Sequence, residues 1–241
     1  MRTLTTLARA AFALALMAFG VQHLIYGRFV TRVLPNLPAA TPWPRVWPYL
    51  TGAVLIAAGL AILLNKATRV VAALLGFGLL LSFAFLYIPA LRGTPPLGGL
   101  WTNAGKALAL AGGAFLIAVF PALIGRVFLA AFLILAGIQH FLFTSFVVGL
   151  IPAWIPWRTF WALFAGVALI AGGLGILITR TIKIAALAVG IMIFLWILVI
   201  HIPRAWAAPR DSNETTAAFE ALAISASVFL VAASSGSRQR R

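Results

Sequence analysis

Eight long apolar runs set the strongest limit on what this chain can fold into: residues 8–26, 47–64, 70–90, 104–120, 127–149, 160–178, 184–203 and 217–234. Each holds about 17–23 residues, and a helix rising about 1.5 Å per residue needs about that length to cross a hydrocarbon core about 30 Å thick. Lipid offers no partner to a backbone N–H or C=O, so a spanning segment must be a helix or part of a closed barrel. A barrel would need strands alternating with a period of two, and no such alternation is visible. The chain is 63% hydrophobic and only 9% charged. A surface so poor in charge cannot be covered by water. The expectation is an all-α polytopic membrane protein with eight transmembrane helices.

The runs repeat. At an offset of 117, Arg9 answers Arg126, Gly20 answers Gly137, Gln22-His23 answers Gln139-His140, Phe29-Val30 answers Phe146-Val147 and Pro35 answers Pro152. Three residues are then missing from the second copy. At the resulting offset of 114, Pro42-Trp43 answers Pro156-Trp157, Trp47 answers Trp161, Gly52 answers Gly166, and Ile88-Pro89 answers Ile202-Pro203. Gln-His, Pro-Trp and Ile-Pro are too distinctive for chance alignment of apolar sequence, and they keep one register. Two units follow, residues 1–122 and 123–241, meeting at Phe120-Pro121-Ala122. Four spans return the chain to its starting side, so the units are expected as parallel four-helix bundles, side by side about an axis along the membrane normal. The first run follows Met1-Arg2 like a signal peptide. Its counterpart, residues 118–137, lies mid-chain, so the run is read as the first span.

The net charge of +15 comes from 18 basic residues against three acids. The bases stand in ones and twos between apolar runs, the pattern of loops flanking spans rather than of a nucleic-acid surface. With the N-terminus inside, the inner side carries Arg2, Arg9, Lys66, Arg69, Arg126, Arg180, Lys183, Arg238, Arg240 and Arg241. The outer side carries Arg28, Arg32, Arg45, Arg92, Lys106, Arg158, Arg204 and Arg210. This excess places both termini in the cytoplasm and the chain in the plasma membrane. Seven of the eight tryptophans fall in or beside outer connections, as an interfacial aromatic belt or a cap over a site.

Polar residues are scarce enough to single out. His23 and His140 lie near the outer ends of spans 1 and 5, each after a glutamine, Gln22 or Gln139. Tyr87 and His201 share one position before Ile-Pro in spans 3 and 7. Lys106 and Glu220 share one position near the start of spans 4 and 8. Ionisable residues in spans are costly and usually face a bundle interior or cavity, which makes these eight the candidate ligand-binding residues. The bland alternatives are helix-end histidines bonded to backbone, a belt tyrosine, and solvated helix starts. Lys106 and Glu220 are expected to pair if the axis brings spans 4 and 8 together. The glycines within spans read as sites of close helix approach. No metal motif, phosphate loop or nucleophile motif is present, and the chain has no cysteine. A haem between His23 and His140 across the axis stays an alternative.

The second half resembles the DoxX-like membrane proteins: Gly137-Ile138-Gln139-His140-Phe141, the Pro156-Trp157 entry to a span, a glycine-rich span end before the basic turn Arg180 to Lys183, and polar His201 near a span end. The first half departs with Leu24 for the phenylalanine, a longer outer loop, and Tyr87 for the histidine. The wider family includes the small membrane subunit of a thiosulfate:quinone oxidoreductase and membrane partners of redox-defence enzymes. The resemblance implies a non-catalytic membrane subunit or anchor of a redox system, contacting lipid and a redox-enzyme partner, with quinone as the candidate cofactor near the outer face. A small-solute transporter and a scaffold docking a soluble partner are the other readings.

Overall fold

The computed structural model describes residues 2–38 and 40–235. Every regular element among them is helical: α1 (Arg2–Tyr26), α2 (Val46–Leu63), α3 (Thr68–Ser82), α4 (Ile88–Leu91), α5 (Gly99–Ile117), α6 (Ala122–Leu142), α7 (Thr144–Leu150), α8 (Arg158–Gly175), α9 (Ile182–Trp196), α10 (Ile202–Ala207) and α11 (Ser212–Ser235). Two π-helical turns, Phe83–Tyr87 and Ile197–His201, join α3 to α4 and α9 to α10. Seven helical segments are long and apolar enough to cross a membrane: α1, α2, α3 through α4, α6, α8, α9 through α10, and α11. The remaining long helix, α5, has 19 residues, but Thr102, Asn103 and Lys106 make its first turns polar. Arg238, Arg240 and Arg241, counted above among the inner bases, lie outside the described residues.

Both π-turns have a local cause. Pro89 and Pro203 follow Tyr87 and His201 by two residues. Proline donates no N–H, and its ring pushes on the carbonyl four residues back, so the ladder relaxes to a wider turn. The run 127–149 also breaks: Phe143 leaves helical geometry at φ −121° and ψ 40°, ending α6 and starting the short α7.

α5 and α11 form the centre. Of the α11 spanning window, 72% is buried inside the protein, against 28–44% for the other six segments. α5 packs on α11; α1 and α9 also pack on α11, while α3 and α6 pack on α5. One core joins Phe12, Leu16 and Leu55 with Leu110 of α5 and Leu230 of α11. The other joins Leu129, Leu133 and Val189 with Val228 of α11 and Ala109 of α5. The two cores therefore share the α5–α11 wall. The first helix of each half packs on the last helix of the other.

Small residues permit this closeness, as van der Waals contact is the main attraction between helices in lipid. A Cβ on Gly113 of α5 would lie 2.1 Å from Ser227 Oγ of α11. Residues matched in the sequence meet matching neighbours. Gly20 abuts Gly52 and Ile56, as Gly137 abuts Gly166 and Ile170; Gly76 abuts Phe115, as Gly190 abuts Phe229.

The connections at residues 27–45 and 143–157 differ more than the helices. Gly27, at φ +58°, ends α1 with its N–H on His23 O at 3.1 Å. The chain then turns inward and buries Val30 and Val33 in the first core. The tryptophans Trp43, Trp154, Trp157 and Trp206 stay exposed. The cover over the bundle end is the Val30–Val33 turn, not the tryptophan-rich stretches.

Candidate functional site

The eight candidate residues fall into three groups. The glutamines are used for packing. Gln22 Nε2 donates to Thr215 Oγ1 at 3.0 Å, and Gln22 Oε1 accepts from Thr216 Oγ1 at 3.0 Å. Gln139 Oε1 accepts from Thr102 Oγ1 at 2.9 Å, while its Nε2 donates to Leu97 O at 2.7 Å and Gly98 O at 3.2 Å. Each amide thus ties the first helix of one half to the last helix of the other. Thr102 and Thr216 answer each other at the offset of 114, so the repeat register carried a signal for them.

His23 and Tyr87 are fully buried and satisfied by backbone. His23 Nδ1–H donates to Phe19 O at 2.7 Å, and its Nε2 accepts the Val30 N–H at 3.4 Å. One ring nitrogen donating and the other accepting is the neutral imidazole. The Tyr87 hydroxyl donates to Val33 O at 3.2 Å. Their counterparts are less enclosed. His140 Nδ1–H donates to Ala136 O at 2.7 Å, and the ring stacks on Trp196 with centroids 6.1 Å apart. His201 is half-buried and makes no side-chain hydrogen bond among the described residues.

Lys106 and Glu220 meet, as their shared position led us to expect. Lys106 Nζ lies 2.8 Å from Glu220 Oε2 and also donates to Asn103 Oδ1 at 3.3 Å. The same carboxylate oxygen takes Arg32, with Nη2 at 2.7 Å and Nε at 3.2 Å. Glu220 is 4% exposed and Lys106 7%, so this centre is inside the bundle. The other carboxylate oxygen, Oε1, is buried without a hydrogen-bond partner among the described residues. Two cations face one carboxylate, which leaves one net positive charge.

Sequence reasoning missed Arg32, counted only as an outer-loop base. Its role depends on the inward turn after Gly27, which no local pattern announced. It also missed a second clamp: Arg204 Nε donates to Glu214 Oε2 at 2.9 Å and ties α10 to α11.

Two shallow apolar clefts flank this end. One of ≈ 470 Å³ is lined by Ile202, Ala205, Trp206, Thr215 and Phe219 among others. The other, of ≈ 350 Å³, is lined by Phe83, Ile88, Leu91, Arg92 and Trp101. Ile88, Leu91, Arg92 and Trp101 stand at the positions of Ile202, Ala205, Trp206 and Thr215. Among the described residues no group of three or more His, Asp or Glu side chains could hold a metal.

Residues 129–236 match a family described as a domain of unknown function, DUF8561. No curated protein and no solved structure matches the chain. The fold and site define a multi-pass helical membrane protein with a buried ionic centre near one end of its bundle.

Proposed function

We propose that this chain is an eight-span plasma-membrane protein of DoxX-like type that holds a quinone or similar amphiphile near its outer face. On this reading it is a membrane subunit or anchor of a redox system, not an enzyme by itself. It consists of two parallel repeats, 1–122 and 123–241, with both termini cytoplasmic and α5 as the eighth span. In favour of the repeat, Lys106 touches its own counterpart Glu220, and Gly113 packs against its own counterpart Ser227. A two-fold axis between the repeats would bring equivalent residues near it together in this way. The family match over residues 129–236 has the extent of one such unit.

The observation that carries the ligand reading is the buried Glu220 Oε1 without a partner. A buried carboxylate oxygen normally has hydrogen-bond donors, and leaving it without one costs about 1–3 kcal/mol or more. A ligand hydroxyl would supply the donor. Lys106 and Arg32 would hold a carbonyl or partial negative charge, and His201 would orient either. Apolar clefts on both flanks suit the hydrocarbon part of an amphiphile. A bound quinone would supply electron and proton transfer, and these residues would position its oxygens.

The test is binding of decylubiquinone to the protein in nanodiscs, read by tryptophan quenching, with mass spectrometry of co-purified molecules. Glu220→Gln and Lys106→Ala are each expected to weaken binding about tenfold or more, or about 1.4 kcal/mol. Failure of the wild type to bind, or equal binding by both variants, overturns the reading.

A further inference from the structure

The two halves treat matching residues differently, and the difference begins at one position. Gly27 and Thr144 correspond at the offset of 117. Gly27 takes φ +58°, where a side chain is strained, and sends the following turn into the bundle. Thr144 instead donates Oγ1 to His140 O at 2.8 Å and Phe141 O at 3.0 Å, and starts α7.

The consequences run down each half. In the first, Val33 N–H bonds Val30 O at 2.8 Å, which makes a tight, buried turn. That turn presents a donor to His23 Nε2 and an acceptor to the Tyr87 hydroxyl. Phe29 adds an edge contact to the His23 ring, with centroids 5.9 Å apart. In the second half the matching residues Phe146, Val147 and Leu150 lie on α7, none of whose seven residues is buried. The Val147 N–H is spent on Phe143 O at 3.1 Å. No hydrogen bond from the described chain reaches His140 Nε2 or the His201 ring, and both residues are half-buried where His23 and Tyr87 are fully buried. Where the first half has Ser82, the second has Trp196, stacked on His140.

We propose that the Val30–Val33 turn is a built-in surrogate that closes the first-half site, and that the second half carries the open site, between His140 and His201. The turn then describes the ligand of the open copy. It is an uncharged molecule with an apolar body, a hydrogen-bond donor opposite His140 Nε2 and an acceptor opposite His201. Its polar groups are separated much as the Val30 N–H and Val33 C=O are. Trp196 offers a ring to stack on. A hydroquinone bearing a hydrocarbon tail has this chemistry, since each hydroxyl both donates and accepts. This assignment rests on the amphiphile reading above, shares His201 with it and adds His140.

The experiment is diethyl pyrocarbonate labelling of the full-length protein in nanodiscs, with each histidine peptide quantified by mass spectrometry, with and without decylubiquinol. His140 and His201 are expected to label at least tenfold faster than His23. Decylubiquinol is expected to slow both at least fivefold and leave His23 unchanged. Labelling of His23 within threefold of His140 overturns the asymmetry, as does full protection of His140 and His201 without ligand. Fast labelling of His140 and His201 that decylubiquinol does not slow upholds the asymmetry. If the wild type also fails to bind decylubiquinone, the amphiphile reading falls with the ligand assignment; if it binds, the site lies elsewhere and only the assignment falls.

Discussion

Replacing Glu220 by Gln removes the one negative charge that two cations share inside the bundle. Lys106, 7% exposed, would keep its ammonium beside a neutral amide oxygen and Asn103 Oδ1 at 3.3 Å, with no opposing charge. Removing one partner of a buried ion pair costs about 3–5 kcal/mol, because the other charge stays desolvated. Arg32 adds less, since its side chain is 32% exposed and such a pair is worth about 0.2–1 kcal/mol. Lys106→Met leaves Glu220 with Arg32 and is expected to cost about 1–3 kcal/mol, the range for a lost buried hydrogen-bond partner. The Lys106→Met/Glu220→Met double variant removes both buried charges, and apolar replacement of a whole pair is often neutral or stabilising by about 1–4 kcal/mol. Reversible unfolding in mixed micelles reads all three. The expected order of stability is wild type close to the double variant, then Lys106→Met, then Glu220→Gln. The reasoning is refuted if Glu220→Gln lies within 1 kcal/mol of wild type, where a surface pair would fall, or if the double variant is no better than Glu220→Gln. Simple charge reversal of both residues restores less than the double methionine, because Arg32 would then face a cation.

Gln139→Leu deprives Thr102, Leu97 and Gly98 of their partner and is expected to cost about 1–3 kcal/mol in the same unfolding assay. Gly113→Ala places a methyl against Ser227 Oγ and Phe12 Cε2, and overpacking of this kind costs about 1–3 kcal/mol; adding Ser227→Gly should return part of it. Gly27→Thr puts a β-branched residue at φ +58°, a strain of about 1–3 kcal/mol. It is expected to free the Val30–Val33 turn and raise His23 labelling by diethyl pyrocarbonate severalfold, whereas unchanged labelling would mean the turn is held by other contacts.

Run lengths and internal matches made much of this molecule legible in one dimension. A helix long enough to span is a matter of consecutive apolar residues, so the apolar runs appear as helices, with seven segments of spanning character. The Lys106–Glu220 contact was readable from the matching of the two positions at an offset of 114 in the sequence. α5 was legible as an apolar run but not as a central helix: Asn103 and Lys106 lower its hydropathy, and only its buried surroundings explain why they are tolerated. The two glutamines read as possible ligand groups, yet each spends its amide on a threonine of the other half. That use depends on the interleaving of halves, which a linear pattern does not encode.

The sequence by itself determined the helical class and the apolar runs of spanning length, because hydrocarbon burial and the helix rise act on consecutive residues. Only the tertiary structure decided that α5 and α11 form a shared wall, that Arg32 joins Glu220, and that His23 is closed by Val30 while His140 is not. These outcomes depend on where a loop goes after one glycine, and a loop's path is set by the surfaces it meets. The matching Gln-His stretches are alike in sequence and unlike in use for that reason: the same side chain ends a helix beneath a buried turn in one half and beside an outlying helix in the other.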